Sequence, residues 1–332
     1  MDQYLSQIIP IFPIQNERIY KFYENAQSCF WILKEIDFSN DKHEWDNKLN
    51  ENEKYFISNI LSFFSMSDQI VNLNLDVRFS EDIKTLPKDM IKYTELFYNF
   101  QKMMEDIHTQ TYEFSLLTYI NDNETRDYYQ NGIKNISTIK KKAEWAFKWI
   151  DDKYSSFATR LIAFAALEGI FFSSSFCSIY WIKEKNILNG LTKSNEFISR
   201  DEALHRDFAC ELYNQLKNRD DYYLDTNINI IKQIITEAVE IEKEFITKSI
   251  PCNLIGMNVK SMSTYIEYVA DNLLQTIEIE KIYNVENPFS FMENISLNQK
   301  CNFFESRPTQ YSVANSQRNL NDIEKLVIDD DF

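Results

Sequence analysis

The chain of 332 residues holds only 4 glycines and 6 prolines. So few turn-forming residues argue against an all-β architecture, which reverses direction every several residues, and against a Gly-rich loop wrapped around phosphate. Basic charge is also short: 35 Lys and Arg face 51 Asp and Glu, a formal net charge of −16. That balance excludes a general nucleic-acid binder, because phosphate recognition needs a basic surface. Five cysteines (Cys29, Cys177, Cys210, Cys252, Cys301) lie far apart with no Cys-x-x-Cys pair, which suits free thiols in a reducing compartment better than a disulfide framework. "MDQYLSQIIPIFPIQ" has no basic stretch ahead of an apolar one, so no signal peptide is expected and the expected location is cytoplasmic. Histidine is scarcer still, at three.

Aromatic residues are plentiful, with 25 Phe and 19 Tyr, enough for an extensive core. Apolar residues recur at three- and four-residue spacing over Glu53–Phe79 and Met90–Ile120, and after a polar break at Asn121–Asn135 in "IKKKAEWAFKWIDD". The same period predicts helices over Leu161–Ile182, over Ser194–Leu216 with Ser194 or Asn195 as N-cap, and in "INIIKQIITEAVEIEKEFITKSI" and "MSTYIEYVADNLLQTI". No Val/Ile/Thr run bounded by turn residues reads as a strand. From Glu305 the periodicity fades into a polar, acidic stretch ending "EKLVIDDDF". The expectation is one all-α domain over residues 1–304 and a disordered tail over 305–332.

The segment "LIAFAALEGIFFSSSFCSIYWI" carries one charged side chain, Glu168. Its length would allow a membrane span, but four serines and an acid make a helix buried in a soluble bundle the better reading, with no membrane association expected. An unpaired carboxylate there would cost several kcal/mol, so it must be protonated or matched by positive charge. Two of the three histidines close Glu-x-x-His: Glu105 with His108 and Glu202 with His205. Residues i and i+3 share a helix face, where carboxylate and imidazole reach one ion. The plainer alternative is ordinary bundle histidines beside surface acids. A bundle in which two helices each give a carboxylate and two others each give Glu-x-x-His can hold two metal ions. Glu168 supplies one lone acid, and Asp68 in "SFFSMSDQIVNLNL" fits as the other. Oxygen and imidazole donors without thiolate suit iron or manganese, and four carboxylates balance two divalent ions. Tyr112 lies on the face of Glu105 and His108. Phe172 and Phe176 follow Glu168 at i+4 and i+8, and Ile198 precedes Glu202 by four; these read either as core or as a dry wall around Tyr112.

These residues, in this order, resemble the small, radical-bearing subunit of class I ribonucleotide reductases, in the eukaryotic and eukaryotic-virus branch. The resemblance runs from "SCFWILKEIDFS" through "KYFISNILSFFSMSDQIV", "MEDIHTQTY", "AFAALEGIFFSSSF" and "SNEFISRDEALHRDFA" to "YIEYVADNLL", "VENPFSFMENIS", "NFFE" and the acidic tail. It implies a ferritin-like bundle with a di-metal carboxylate core of two iron ions, manganese being the alternative. The implied ligands are Asp68, Glu105, His108, Glu168, Glu202 and His205, and the implied radical site is Tyr112, shielded by Phe172, Phe176 and Ile198. Trp31 matches the family's electron-transfer tryptophan, linked through Asp201 to His108, and Tyr311 the mobile tyrosine that hands the radical to a large subunit. The end at Phe332 matches the peptide that docks on that subunit, and a homodimer is implied as well. Two departures stand out: the connector Ser80–Lys92 is longer than the family pattern, and about one extra residue separates Trp31 from Asp68.

Overall fold

In the computed structural model, the described residues are 9–222, 224, 227–249 and 258–292. They contain helices and no strand. The helices are α1 (Glu17–Ser28), α2 (Asp41–Lys48), α3 (Glu51–Asn74), α4 (Lys88–Tyr119), α5 (Asn123–Gln130), α6 (Ser137–Asp151), α7 (Phe157–Ala166), α8 (Ser173–Glu184), α9 (Asn189–Lys217), α10 (Ile228–Ser249) and α11 (Val259–Thr276). A π-helical turn, Leu167–Phe171, joins α7 to α8, so that the apolar segment is one nearly continuous rod. The tail from 305, with Tyr311 and Phe332, and the domain boundary at 304 lie outside the described residues.

Four of these rods make the central bundle. α3 packs along α4, and the α7–α8 rod packs along α9; α4 and α9 also meet. α1 lies against both α4 and α9, while α10 and α11 pack against the α7–α8 rod. α4 runs for 32 residues with no Gly or Pro inside it to break the hydrogen-bond ladder, giving roughly 48 Å of straight scaffold. α3 starts with a reciprocal cap: Asn50 Oδ1 accepts from the Glu53 N–H at 3.0 Å, and Glu53 Oε2 accepts from the Asn50 N–H at 3.0 Å. The rod carrying Glu168 is long and apolar enough to cross a membrane, yet its apolar window is entirely buried inside the protein; here it is the core of the bundle.

Three boundaries differ from the sequence reading. The polar break at 121–135 is itself helical, forming α5 and a short turn, Gly132–Asn135; α5 has a polar outer face and needs no long apolar period. The long connector continues α3 through a second π-helical turn, Leu75–Phe79, and two further helical turns before Leu86. α9 begins at Asn189, which makes Ser194 and Asn195 interior residues. The cause is a distant cap. Asp41, buried on α2, accepts from the Gly190 N–H (Oδ1, 2.9 Å), the Leu191 N–H (Oδ2, 2.9 Å) and the Tyr119 hydroxyl (2.7 Å). A Cβ at position 190 would meet Asp37 O and Asp41 Oδ2 at 2.9 Å, so this cap requires glycine. Two helices, α1 and α2, precede the first one expected from the sequence.

Candidate metal centre

Each rod of the bundle delivers acids or histidines to one point. α3 brings Asp68, α4 brings Glu105 and His108, the π-helical turn brings Glu168, and α9 brings Glu202 and His205. None is more than 2 % exposed. Their donor atoms form two overlapping quartets, each within 4.8 Å: Asp68, Glu105, His108 and Glu202, then Glu105, Glu168, Glu202 and His205. Glu105 and Glu202 belong to both. Each splits its two oxygens between the two imidazoles. Glu105 Oε2 lies 3.3 Å from His108 Nδ1 and Oε1 lies 3.0 Å from His205 Nδ1. Glu202 Oε1 lies 3.0 Å from His108 Nδ1 and Oε2 lies 3.5 Å from His205 Nδ1. Asp68 stands at the His108 end, its Oδ2 3.9 Å from Nδ1.

With protein groups alone, protons balance this charge. Burial, then the charges of Glu105 and Glu202, push Asp68 well above the usual carboxylate range. Burial and then Glu202 do the same to Glu168. Burial opposes protonation of the histidines, but the carboxylates of Asp201, Glu105 and Glu202 hold His108 well above its ordinary value, and Glu105 and Glu202 raise His205 to about 9. Glu202 is held low against its burial by Glu168 and both histidines. Asp68 Oδ1 and Oδ2, Glu168 Oε2, both Glu202 oxygens and His205 Nδ1 nonetheless lack an aligned hydrogen bond. Buried polar atoms left in that state call for an ion. Oxygen and imidazole donors in two quartets with shared carboxylates fit two divalent cations, and the excess of acids would neutralise them in an apolar core.

Around the cluster, Trp31 Nε1 donates to Asp201 Oδ2 at 2.7 Å, and His108 Nε2 lies 3.2 Å from the same oxygen. Trp31 also stacks on His108, centroids 5.9 Å apart. Arg200, first, and the bonds from His108 and Trp31 keep Asp201 ionised despite its burial. Tyr112, on α4, is buried, and its hydroxyl has no hydrogen-bond partner. Burial, then Asp68 and the other acids, drive its pKa well above 10, so the phenol is neutral. Phe172 and Phe176 are buried but make no ring contact with Tyr112. Phe172 stacks on Phe64 at 5.6 Å, Phe176 packs on it tilted at 4.9 Å, and Phe64 stacks on Tyr112 at 4.7 Å. Ile198 is fully buried on α9, one turn before Glu202. Two neighbours escaped the sequence reading. Phe64 sits one turn before Asp68, and Gln101 one turn before Glu105, donating Nε2–H to Glu105 Oε1 (2.9 Å) and Glu168 Oε1 (3.1 Å). The i−4 spacing from a ligand was the signal available for both. His43 is exposed beside Asn47 and takes no part.

A helical bundle with paired Glu-x-x-His helices, two further acids and a buried two-cation pocket is a di-metal carboxylate protein of the ferritin-like kind. Comparison with known proteins narrows this. The family described as ribonucleotide reductase, small chain, matches residues 8–288. The ribonucleoside-diphosphate reductase small chain of Neurospora crassa is 51% identical over 304 residues, 92% of this chain and 71% of that one. The small subunit from Dictyostelium discoideum is 48% identical over 328 residues, 97% of this chain and 93% of that one. Among solved structures, the ribonucleotide reductase Rnr4 homodimer of Saccharomyces cerevisiae superposes with a TM-score of 0.75 at 36% identity, covering 88% of this chain and 90% of that one. The chain belongs to the ribonucleotide reductase small-chain family.

Proposed function

We propose that this chain is the radical-generating subunit of a ribonucleoside-diphosphate reductase, with Asp68, Glu105, His108, Glu168, Glu202 and His205 as ligands of two iron ions and Tyr112 as the radical site. The observation that carries the reading is the division of Glu105 and Glu202 between two imidazoles, with the neutral phenol of Tyr112 buried on the same face of α4. Bound as a pair, iron(II) would supply two of the four electrons that reduce dioxygen to water, leaving one to come from Tyr112 and one from an outside donor. Asp68 and His108 would hold one of the two ions, and Glu168 and His205 the other. Because the Tyr112 phenol is neutral, its proton has to leave when the ring is oxidised, and Asp68 is the acid whose charge bears most on it. Phe64, backed by Phe172 and Phe176, covers one ring face against water and reductants. Trp31, Asp201 and His108 form a hydrogen-bonded line suited to admitting the outside electron. Gln101 orients Glu105 and Glu168 toward each other. The same donors accept manganese.

Two partners follow from the reading. The chain has no vicinal thiol pair to reduce a ribose, so a large subunit is required, docked by the tail ending in Phe332, with Tyr311 as the relay. Leu326, Val327, Ile328 and Phe332 can anchor such a peptide while Asp329, Asp330 and Asp331 meet basic groups. The other partner is a second copy of this chain. Met103, Ile107, Phe114 and Leu117 make a stripe at spacings of four, seven and three along the outer face of α4, and Leu73 and Val77 are exposed on the neighbouring α3 and its π-helical extension. A half-exposed apolar stripe on a central rod suits a homodimer, the state of the yeast structure. The test of the central reading is electron paramagnetic resonance after iron(II) and oxygen are added to the apo-protein. A tyrosyl radical is expected, absent in Tyr112→Phe while metal stays bound; a radical persisting in that variant would mean another tyrosine carries it.

A further inference from the structure

Away from the ligands, a buried charged cluster grips the one irregular stretch of the Glu168 rod. Lys142, on α6, and Glu242, on α10, are fully buried and paired at 2.5 Å. The Lys142 ammonium also donates to the Phe171 carbonyl at 2.9 Å, at the last residue of the π-helical turn. On the other side of Phe172, the Ser174 hydroxyl donates to Glu242 Oε1. The pair therefore holds the chain one residue before and two residues after Phe172, where the π-helical turn gives way to α8. The ammonium also lies over the rings of Phe63 (3.4 Å) and Phe245 (3.8 Å). Phe63 in turn packs on Phe172 at 5.4 Å and Phe64 at 5.7 Å, the aromatic stack that ends at Tyr112.

A π-helical turn shifts the helical register and so redirects the side chains it carries. Glu168 is the second residue of this turn and Phe172 follows its last. Burying an ion pair so completely gains little stability over an apolar pair of the same volume; burial lowers Lys142 to about 8 even with Glu242 beside it. Its use must lie in what it fixes. We propose that Lys142, with Glu242 and Ser174, is a positioning residue for the metal centre: by clamping Phe171 and Ser174 it sets the π-helical turn that aims Glu168 at the second cation and Phe172 at the wall over Tyr112. This deepens the function proposed above and rests on Glu168 being a ligand.

The test uses the full-length apo-protein and manganese(II) titration, which needs no turnover. Lys142→Met combined with Glu242→Gln removes both charges together and leaves no unpaired ion. The expected result is a helical fold like the parent's, unchanged binding of the first ion and about 10- to 100-fold weaker binding of the second. After iron and oxygen treatment its tyrosyl radical should also decay faster. Two ions bound with parental affinity and a radical of parental lifetime would overturn the proposal. Should the double variant not fold, Ser174→Ala decides: a weakened second ion supports the clamp, and parental binding overturns it. Glu168→Ala serves as the reference. If that variant binds both ions normally, the ligand assignment itself has failed; if only Glu168→Ala weakens binding, the clamp alone has.

Discussion

At Glu105 and Glu202 the two oxygens of one side chain face different imidazoles, so at the scale of single residues the site is a proton store as well as a ligand set. A ligand must shed its proton before a metal can bind. Asp68, Glu168 and both histidines have raised pKa values, His205 moving from 6.5 to about 9. Metal uptake near neutral pH should therefore release protons, and affinity should rise as pH rises toward about 9. For the metal-free protein the sign is opposite. The stability contributed by the His205 proton is complete below pH 6.5, its ordinary value, and is lost as pH climbs through about 9. Proton release measured in weak buffer, with metal affinity compared at about pH 6 and about pH 8, checks this; no release and equal affinities would count against the coordination proposed.

Among the elements, the parts legible in the sequence are those written in local spacing. Both Glu-x-x-His pairs are i, i+3 neighbours, and Glu168 stands out as the one charged side chain between Leu161 and Ile182. The parts that stayed hidden depend on residues far apart in the chain. Asp41 caps a helix 149 residues later, so the start of α9 could not be read from Ser194 or Asn195, which look like caps but lie inside the helix. The π-helical turn at Glu168 has no residue signature of its own; a buried lysine and glutamate from two other helices border it. The Trp31–Asp201–His108 line came from family resemblance, since nothing local links positions 170 apart. The cap gives an element-scale prediction. Asp41→Ala strips acceptors from two amides and the Tyr119 hydroxyl and should cost about 2–4 kcal/mol in denaturant unfolding. A loss within about 0.5 kcal/mol would mean that α9 does not rely on this cap.

Over the whole molecule, the candidate metal pocket lies inside the bundle, while the proposed partner contacts are assigned to the α4 stripe and the tail. If the stripe serves self-association and the tail serves docking, the two losses should be separable. Leu117→Glu buries a charge in the proposed self-interface and should shift the sedimentation behaviour from dimer toward monomer with the helical content intact. Deletion of Leu326–Phe332 should leave the dimer and the tyrosyl radical untouched and abolish activity with the large subunit. A truncated chain that loses its radical, or a Leu117→Glu chain that stays dimeric, would contradict this division.

The centre itself has the most direct measurement: anomalous diffraction from crystals of the iron-loaded protein. Two peaks are expected in each chain, one between Asp68 and His108 and one between Glu168 and His205, with Glu105 and Glu202 in contact with both. A single peak, or iron lying outside these six side chains, would contradict the account.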